Sequence, residues 1–267
     1  MDSCRLKNTL KRITYIFVII CLDCWVVFAE NTFPRKQELQ EKIVQCFPHG
    51  IPSRNLKDLS ESDIPLLIEL SEDPANARCR NMAFVALSHI QSKKSHEYFV
   101  GFYLKNVFTL QHPISNKEQM WLQDAVYAIP SCMGRLAGSG LDSSFDFLCQ
   151  LSLPESNLAL LDQHELSKQK SALSRQHLFK HGIHGLANCP TGKARSFLRQ
   201  LVNSGSCKDY QFTYGETFQS YAERTLHKLN MAHYKHLAKW TGGCLALALI
   251  IYGRYQAKRR KRKTTSI

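Results

Sequence analysis

The sequence predicts an all-α protein, a short α-solenoid of about four helix pairs that lies between two apolar end segments. Apolar residues recur at helical spacing through the middle of the chain, and no stretch alternates between apolar and polar residues as a half-buried strand does. A pattern of small and apolar residues returns four times in that region. At each end of the chain, an apolar run lies beside basic residues.

The composition supports a folded core and places most of the positive charge outside it. The chain has 267 residues, of which 44% are hydrophobic and 21% are charged, as in a globular protein. The formal net charge is +13, but residues 30–239 hold 24 Lys and Arg against 20 Asp and Glu. Because a nucleic-acid-binding protein carries its basic patch on the folded domain, we expect no nucleic acid as a partner and a membrane instead.

Residues 1–29 have the features of a secretory signal peptide. A basic stretch precedes an apolar one, and Val27 and Ala29 precede the expected cleavage site. Asp23 interrupts the apolar stretch, and a carboxylate at mid-bilayer costs about 3 kcal/mol, which fits a transient signal better than a permanent span. An uncleaved signal anchor and a buried core helix are the alternatives. Residues 30–60 are expected to form an N-terminal helix and linker.

Residues 61–232 are predicted to form a helical repeat domain. The repeated pattern is a small residue, a second small residue three positions later, an aliphatic residue next to it, and an apolar residue three positions further on. Its copies begin at intervals of 42, 57 and 40 residues. The copies are Ala83, Ala86, Leu87 and Ile90; Ala125, Ala128, Ile129 and Cys132; Gly182, Gly185, Leu186 and Cys189; and Ala222, Thr225, Leu226 and Leu229.

An amphipathic stretch precedes each copy, so each copy is expected to be the second helix of a pair. These stretches are Ile64–Leu70, Glu97–Leu110, Phe145–Leu153 and Ala194–Val202. Such intervals are typical of solenoids built from helix pairs, in which small residues let a neighbouring helix approach closely. The alternative is an ordinary helical bundle whose Ala and Leu rows arise by chance.

The first copy resembles a HEAT repeat. Within Glu61–Ile90, Asp73-Pro74 stands at the turn, Arg78 or Arg80 comes early in the second helix, and an Ala-x-x-Ala-Leu core follows. The resemblance covers roughly residues 55–230, and the later copies keep the core pattern without the turn and the arginine. It implies an extended helical surface that suits protein partners.

Two connections within the repeat domain have features of their own. The third copy contains about 15 extra residues within Leu153–Lys170. We expect a surface loop there, because long insertions cost little stability; a loop on the binding face is the alternative. Between the second and third pairs, Gly134, Gly138 and Gly140 predict a flexible joint.

Six of the ten cysteines fall in the region that is predicted to be exported: Cys46, Cys79, Cys132, Cys149, Cys189 and Cys207. Cys132 and Cys189 occupy equivalent core positions of neighbouring repeats. Packed helix axes lie about 8–10 Å apart, which is too far for a disulfide, so we expect these two to be small buried apolar residues. If a disulfide forms, Cys149 with Cys207 is the least strained pair.

Two His-Glu dipeptides, His96-Glu97 and His164-Glu165, resemble the iron ligands of HEAT-like deoxyhypusine hydroxylases. That family uses four such pairs at regular positions, whereas these two are 68 residues apart and one lies in the insertion. We therefore assign no catalytic, cofactor-binding or metal-binding residue and no cofactor, and we expect the protein not to be an enzyme. A metal-dependent enzyme that uses these four residues is the alternative.

Residues 237–255 are predicted to form a transmembrane helix, and residues 256–267 a basic cytoplasmic tail. The uncharged run from position 240 to position 253 holds 14 residues, whereas a bilayer span needs about 20. Lys239 and Arg254 would have to reach outward from the bilayer edges. The basic tail marks the cytoplasmic side, which places the repeat domain on the periplasmic or luminal/extracellular side. A hydrophobic last helix of a soluble domain is the alternative.

Together these features predict a membrane-anchored helical-repeat protein that acts as a non-enzymatic protein-binding scaffold or adaptor. Its expected partners are one or more proteins on the solenoid surface and a membrane that holds the C-terminal helix. A HEAT-like metal-dependent enzyme is one alternative. A secreted effector that inserts both apolar ends into a foreign membrane is another.

Overall fold

The computed structural model describes residues 35–43, 53–107, 116–163, 172–205, 207–208, 211 and 215–264. Regular structure in these ranges is helical, and the one β-type pairing in them is an antiparallel bridge between Gln211 and Thr217. The prediction of an all-α fold is confirmed. The predicted signal segment, residues 1–29, lies outside the described residues.

The chain divides into two compact units, Met1–Ile90 and Gln91–Ile267. The predicted repeat domain, residues 61–232, therefore has residues in both units. The helices of the first unit are α1 (35–43), α2 (Ser53–Leu56), α3 (Ile64–Glu72) and α4 (Arg80–His89). Two short 3-10 turns, Glu61–Asp63 and Pro74–Cys79, lead into α3 and α4.

Helices α3 and α4 pack against each other as the first predicted pair. Leu67 of α3 and Phe84 and Leu87 of α4 are fully buried. Arg35 of α1 donates two hydrogen bonds to the Asp63 carboxylate, at 2.8 Å to Oδ1 and 3.0 Å to Oδ2. This contact ties α1 to the start of α3.

The turn between α3 and α4 has the structure that its sequence predicts. The Asp73 carboxylate accepts a hydrogen bond from the Ala75 amide at 2.9 Å, as in the turns that aspartate favours. Arg80 is the first residue of α4, and its Nε donates to the carbonyl of Ser71 in α3. The arginine thus links the two helices of the pair.

The second unit contains longer helices. They are α5 (Lys93–Asn106), α6 (Lys117–Gly138), α7 (Asp142–Leu151), α8 (Pro154–Gln163), α9 (Ala172–Ala187), α10 (Gly192–Ser204) and α11 (Phe218–Thr264). Helices α5, α6 and α10 begin after Ser92, Asn116 and Thr191, whose side chains accept hydrogen bonds from first-turn amides. Helix α10 ends at Gly205, whose φ of 66° is the left-handed conformation that glycine adopts freely.

Helices of the second unit pack in the predicted pairs, α5 with α6, α7 with α9, and α10 with α11. The helices that carry the recurring pattern also contact one another, α6 against α9 and α9 against α11. The pattern residues of these helices are buried, except that Ala128 and Leu226 are half-buried. The pattern therefore marks the inward faces of α6, α9 and α11.

Two glycines of the pattern lie where α9 approaches its neighbours most closely. A β-carbon on Gly185 would lie 2.7 Å from the carbonyl oxygen of Pro130 in α6. A β-carbon on Gly182 would lie 2.8 Å from the carbonyl oxygen of Leu148 in α7. Such distances are too short for a side chain, so the prediction that small residues permit close helix packing is confirmed here.

Two predictions about connections are wrong. The insertion of the third repeat, expected to be a loop, contains α8, which packs against α7 and α9 and buries Leu160. Gly134, expected to belong to a flexible joint, lies inside α6 against the backbone of Gly185. Gly140, with a φ of 107°, does lie in the turn after α6. In both places the sequence does not show the neighbouring helix that packs on the segment.

In the second unit, Cys207 is buried and Cys149 is half-buried. Cys132 and Cys189 are buried, as predicted. Cys149 is a free thiol, so the disulfide with Cys207 is not formed. Burial raises the pKa of Cys149 to about 12, and this thiol is therefore protonated at neutral pH.

Helix α11 runs without a break through the predicted transmembrane segment, residues 237–255. Within the described ranges we find no helix that combines the length and the apolar character that crossing a membrane requires.

Candidate functional site

Helix α9 carries a row of histidines. His177, His181 and His184 are four and three residues apart, which places them on one face of the helix. Burial lowers the pKa of each below its usual value, so all three are neutral at pH 7. His181 is buried, His177 is half-buried and His184 is exposed, and we call these three residues the histidine row.

His181 is the most deeply buried histidine of the row, with 2% of its surface exposed. Its Nδ1 lies 2.7 Å from the hydroxyl of Tyr103 in α5, and its ring meets that of Tyr127 in α6 edge to face, with centroids 4.8 Å apart. Burial lowers the pKa of His181 to about 3 and raises that of Tyr103. A hydrogen bond between two neutral groups therefore joins α5 to α9.

The outer end of the row makes a second link. Ser131 Oγ of α6 lies 2.9 Å from His184 Nε2, and the Asn188 amide donates to that Oγ at 3.2 Å. A serine beside a neutral imidazole is the contact that activates a nucleophile in hydrolases. In those sites a third group orients the imidazole, whereas Asn188 donates to the serine hydroxyl. This contact is a polar link between α6 and α9.

Aromatic rings surround the inner end of the row. Phe147 of α7 meets Tyr103 edge to face at 6.0 Å between centroids, and it meets His96 of α5 in the same way at 6.4 Å. His96 Nδ1 lies 3.0 Å from the Ser144 hydroxyl of α7. Burial lowers the pKa of His96 as well. The cluster thus holds α5, α7 and α9 together.

Of the two His-Glu pairs that resemble iron ligands, the structure describes His96-Glu97, whose side chains have separate partners. The ring of His96 is engaged with Ser144, while Glu97 is exposed and pairs with Lys93 at 3.3 Å. His164-Glu165 lies outside the described residues. Among the residues that are described, no three His, Cys, Asp or Glu side chains are grouped so that they could hold a metal ion.

Comparison of the chain with protein-family models, with curated proteins and with solved structures finds no match. The resemblance to HEAT repeats stays a prediction that rests on the residues of the first pair.

Sequence reasoning did not single out the histidine row. Its one signal is the spacing of four and three, which places residues on one helix face but does not show what lies opposite. Tyr103 is 78 residues from His181, and Ser131 is 53 residues from His184. Contacts over such separations depend on how the helix pairs stack, which spacing along the chain does not reveal.

Proposed function

We propose that this chain is a non-enzymatic scaffold or adaptor, an α-solenoid of helix pairs that binds a protein partner and is attached to a membrane by its C-terminal helix. The observation that carries the proposal is the packing of successive pairs, in which α6 contacts α9 and α9 contacts α11. Repeated units that contact their neighbours in this way build the extended surfaces that solenoids use for binding.

The histidine row supports this proposal because its polar groups serve contacts between helices. Tyr103 and His181 join α5 to α9, and Ser131 and His184 join α6 to α9. The Tyr103–His181 hydrogen bond is buried, and a buried hydrogen bond that only one arrangement satisfies helps to fix how helices pack. A rigid arrangement of helix pairs is what a scaffold needs to present a constant surface.

Exposed apolar side chains on α6 offer a surface for a partner. Met120 and Tyr127 are seven residues apart, so they lie on one face, and they are 44% and 36% exposed. Asp124 lies between them and is exposed as well. Met and Tyr are enriched at protein interfaces, where a polar residue beside them adds specificity.

Photo-crosslinking from position 120 of the full chain in its native membranes tests the scaffold proposal. With benzoylphenylalanine in place of Met120, we expect one discrete protein adduct that Asp124→Arg, at the exposed position between Met120 and Tyr127, removes. The matched control carries the crosslinker in place of Lys94, an exposed residue of α5, and should not give that adduct. Identical adducts from both positions, or none from position 120, would contradict the proposal.

The membrane part of the proposal places the repeat domain on the periplasmic or luminal/extracellular side and residues 256–267 on the cytoplasmic side. The Lys and Arg excess of that tail supports this orientation. Aromatic residues at both ends of the uncharged run, Trp240 and Tyr252, are of the type that anchors helices at membrane interfaces.

A further inference from the structure

Helix α11 leaves the packed core of the second unit after Leu229. Its buried positions are Phe218, Ala222, Thr225 and Leu229, which share one face because they are four, three and four residues apart. From residue 230 to residue 241 no side chain is buried, and His233 and Asn230 alone are half-buried. About three turns of this helix are therefore exposed to whatever surrounds the unit.

The exposed turns carry a stripe of lysines. Lys228, Lys235 and Lys239 are seven and four residues apart, so at about 100° per residue they fall within an arc of about 40°. All three are exposed and take part in no ion pair among the described residues. The sequence contains no Asp or Glu after Glu223. This stripe therefore lacks an acidic neighbour along its own helix.

Exposed apolar residues border the lysine stripe. Met231 and Tyr234 are 44% and 61% exposed, and with Ala238 they lie about 140–200° around α11 from Leu229. Since Leu229 faces the packed unit, these residues are on the opposite side of the helix. A flat surface could therefore contact Met231, Tyr234 and the lysines without touching the rest of the unit.

We propose that residues 228–241 bind the headgroup region of a bilayer that contains anionic phospholipids, an inference that rests on the proposed membrane attachment. Lysines beside an apolar strip fit such a surface, because the ammonium groups reach lipid phosphates while the stems and the apolar side chains enter the interface. Tyr234 is a residue type that is enriched at this depth. The positive charge of the stripe is attracted to an anionic lipid surface and gains no such attraction from a neutral one.

Vesicle flotation of the full chain tests this inference, with Leu247→Arg introduced so that insertion of the apolar run does not mask surface binding. We expect this parent chain to float with vesicles of phosphatidylcholine and phosphatidylglycerol, to float poorly with phosphatidylcholine alone, and to detach as salt is raised. Replacing Lys228, Lys235 and Lys239 by Gln should lower the partition coefficient by about a hundredfold, which corresponds to about 1 kcal/mol for each lysine near an anionic surface.

The matched control replaces three exposed lysines of α5 and α6, namely Lys94, Lys105 and Lys117, by Gln. It removes the same charge and should keep the partition coefficient of the parent. If both triple variants lose the same part of the partition coefficient, or if neither loses any, the inference is overturned. The basic tail would then be the part that binds lipid. A dimer in light scattering that Tyr234→Asp dissociates would overturn it as well, because the face would then bind a second copy.

A separate measurement tells this inference apart from the proposed anchor. The chain with Leu247 intact should stay on phosphatidylcholine vesicles after a carbonate wash, since an inserted helix does not need anionic lipid. If that attachment fails while phosphatidylglycerol-dependent flotation persists, the anchor is wrong and the lysine stripe stands. If the attachment holds and the lysine variants change nothing, the stripe is wrong and the anchor stands. Matched circular dichroism melts of the variants exclude misfolding as the cause.

Discussion

At the scale of single residues, close contact between α6 and α9 depends on the absence of a side chain at position 185. A methyl group there would lie 2.7 Å from the Pro130 carbonyl oxygen, and a methyl group on Gly101 of α5 would meet no atom within 4 Å. We expect Gly185→Ala to destabilise the protein by about 1–3 kcal/mol, because the helices must separate. Gly101→Ala should stabilise it by about 0.5–1 kcal/mol, because alanine favours the helix. Urea unfolding measures the free energy of unfolding of both variants. If both free energies change in the same direction, the close packing at Gly185 is contradicted.

The buried His181 should make stability depend on pH. Its pKa is about 3 in the folded protein, against an ordinary value of 6.5. Between these values the unfolded chain binds more protons, so the free energy of unfolding should fall as the pH drops below about 6.5. The slope for one such group approaches about 1.4 kcal/mol per pH unit, and the contribution is fully present above pH 6.5.

Removing the imidazole should flatten that dependence. We expect the free energy of unfolding of His181→Gln to change less with pH between about 6.5 and 4 than that of the wild type. His227→Gln, which replaces an exposed histidine of α11, is the matched control and should keep the wild-type slope. If both variants follow the wild type, His181 is not buried as a neutral imidazole.

The Arg35–Asp63 pair gives a third test. Asp63 is 2% exposed, and Arg35 is its one cationic partner among the described residues. Arg35→Met should cost about 1–3 kcal/mol, since it leaves a buried carboxylate unpaired. Lys36→Met breaks a more exposed pair with Glu69 and should cost less than about 1 kcal/mol. Amide hydrogen exchange of residues 35–43 measures the loss of stability in each variant. Equal losses in the Arg35→Met and Lys36→Met variants would contradict the buried Arg35–Asp63 pair.

The pH dependence of the Arg35–Asp63 pair has a defined direction. Burial alone would raise the pKa of Asp63, but hydrogen bonds from Arg35 and the Ser60 amide lower it below the ordinary 3.8. The pair therefore stabilises the fold fully above that value, and the stabilisation is lost as the pH falls through the lower pKa of the folded state.

At the scale of elements, the sequence predicted the helix pairs because the information is local. Ala83, Ala86 and Leu87 are buried in α4 as their spacing implied, and the Asp73-Pro74 turn forms where aspartate and proline favour it. Capping residues such as Ser92 mark helix starts for the same reason. Each of these features depends on residues within one or two turns.

Features that depend on distant partners were not predictable in this way. Leu160 makes α8 part of the core only because α7 and α9 lie beside it. Gly134 is a packing residue only because Gly185 lies opposite. His181 joins two helices only because α5 supplies Tyr103 as its partner. Residue spacing predicts which residues share a face of a helix, but it does not predict which other helix packs against that face.

At the scale of the whole molecule, the proposed membrane attachment would depend on residues 240–253, an uncharged run shorter than the roughly 20 residues of a typical span. Each central aliphatic residue contributes about −0.5 kcal/mol to insertion, whereas an arginine there costs about 3 kcal/mol. If residues 1–29 are cleaved as a signal peptide, we expect Leu247→Arg to move the protein into the supernatant of a carbonate wash, which also removes protein bound only to the membrane surface. Gln256→Arg adds the same charge in the tail and should leave attachment unchanged. If the N-terminal segment is a retained anchor, the Leu247→Arg chain stays in the membrane and its tail becomes accessible from outside.

Carbonate extraction of a chain truncated after Ala238 tests the attachment most directly, because it removes the apolar run and the basic tail while keeping every helix pair. The full chain is expected to remain in the membrane pellet after the wash, and the truncated chain to appear in the supernatant with an unchanged melting temperature. A truncated chain that still pellets with membranes would contradict attachment by the C-terminal helix.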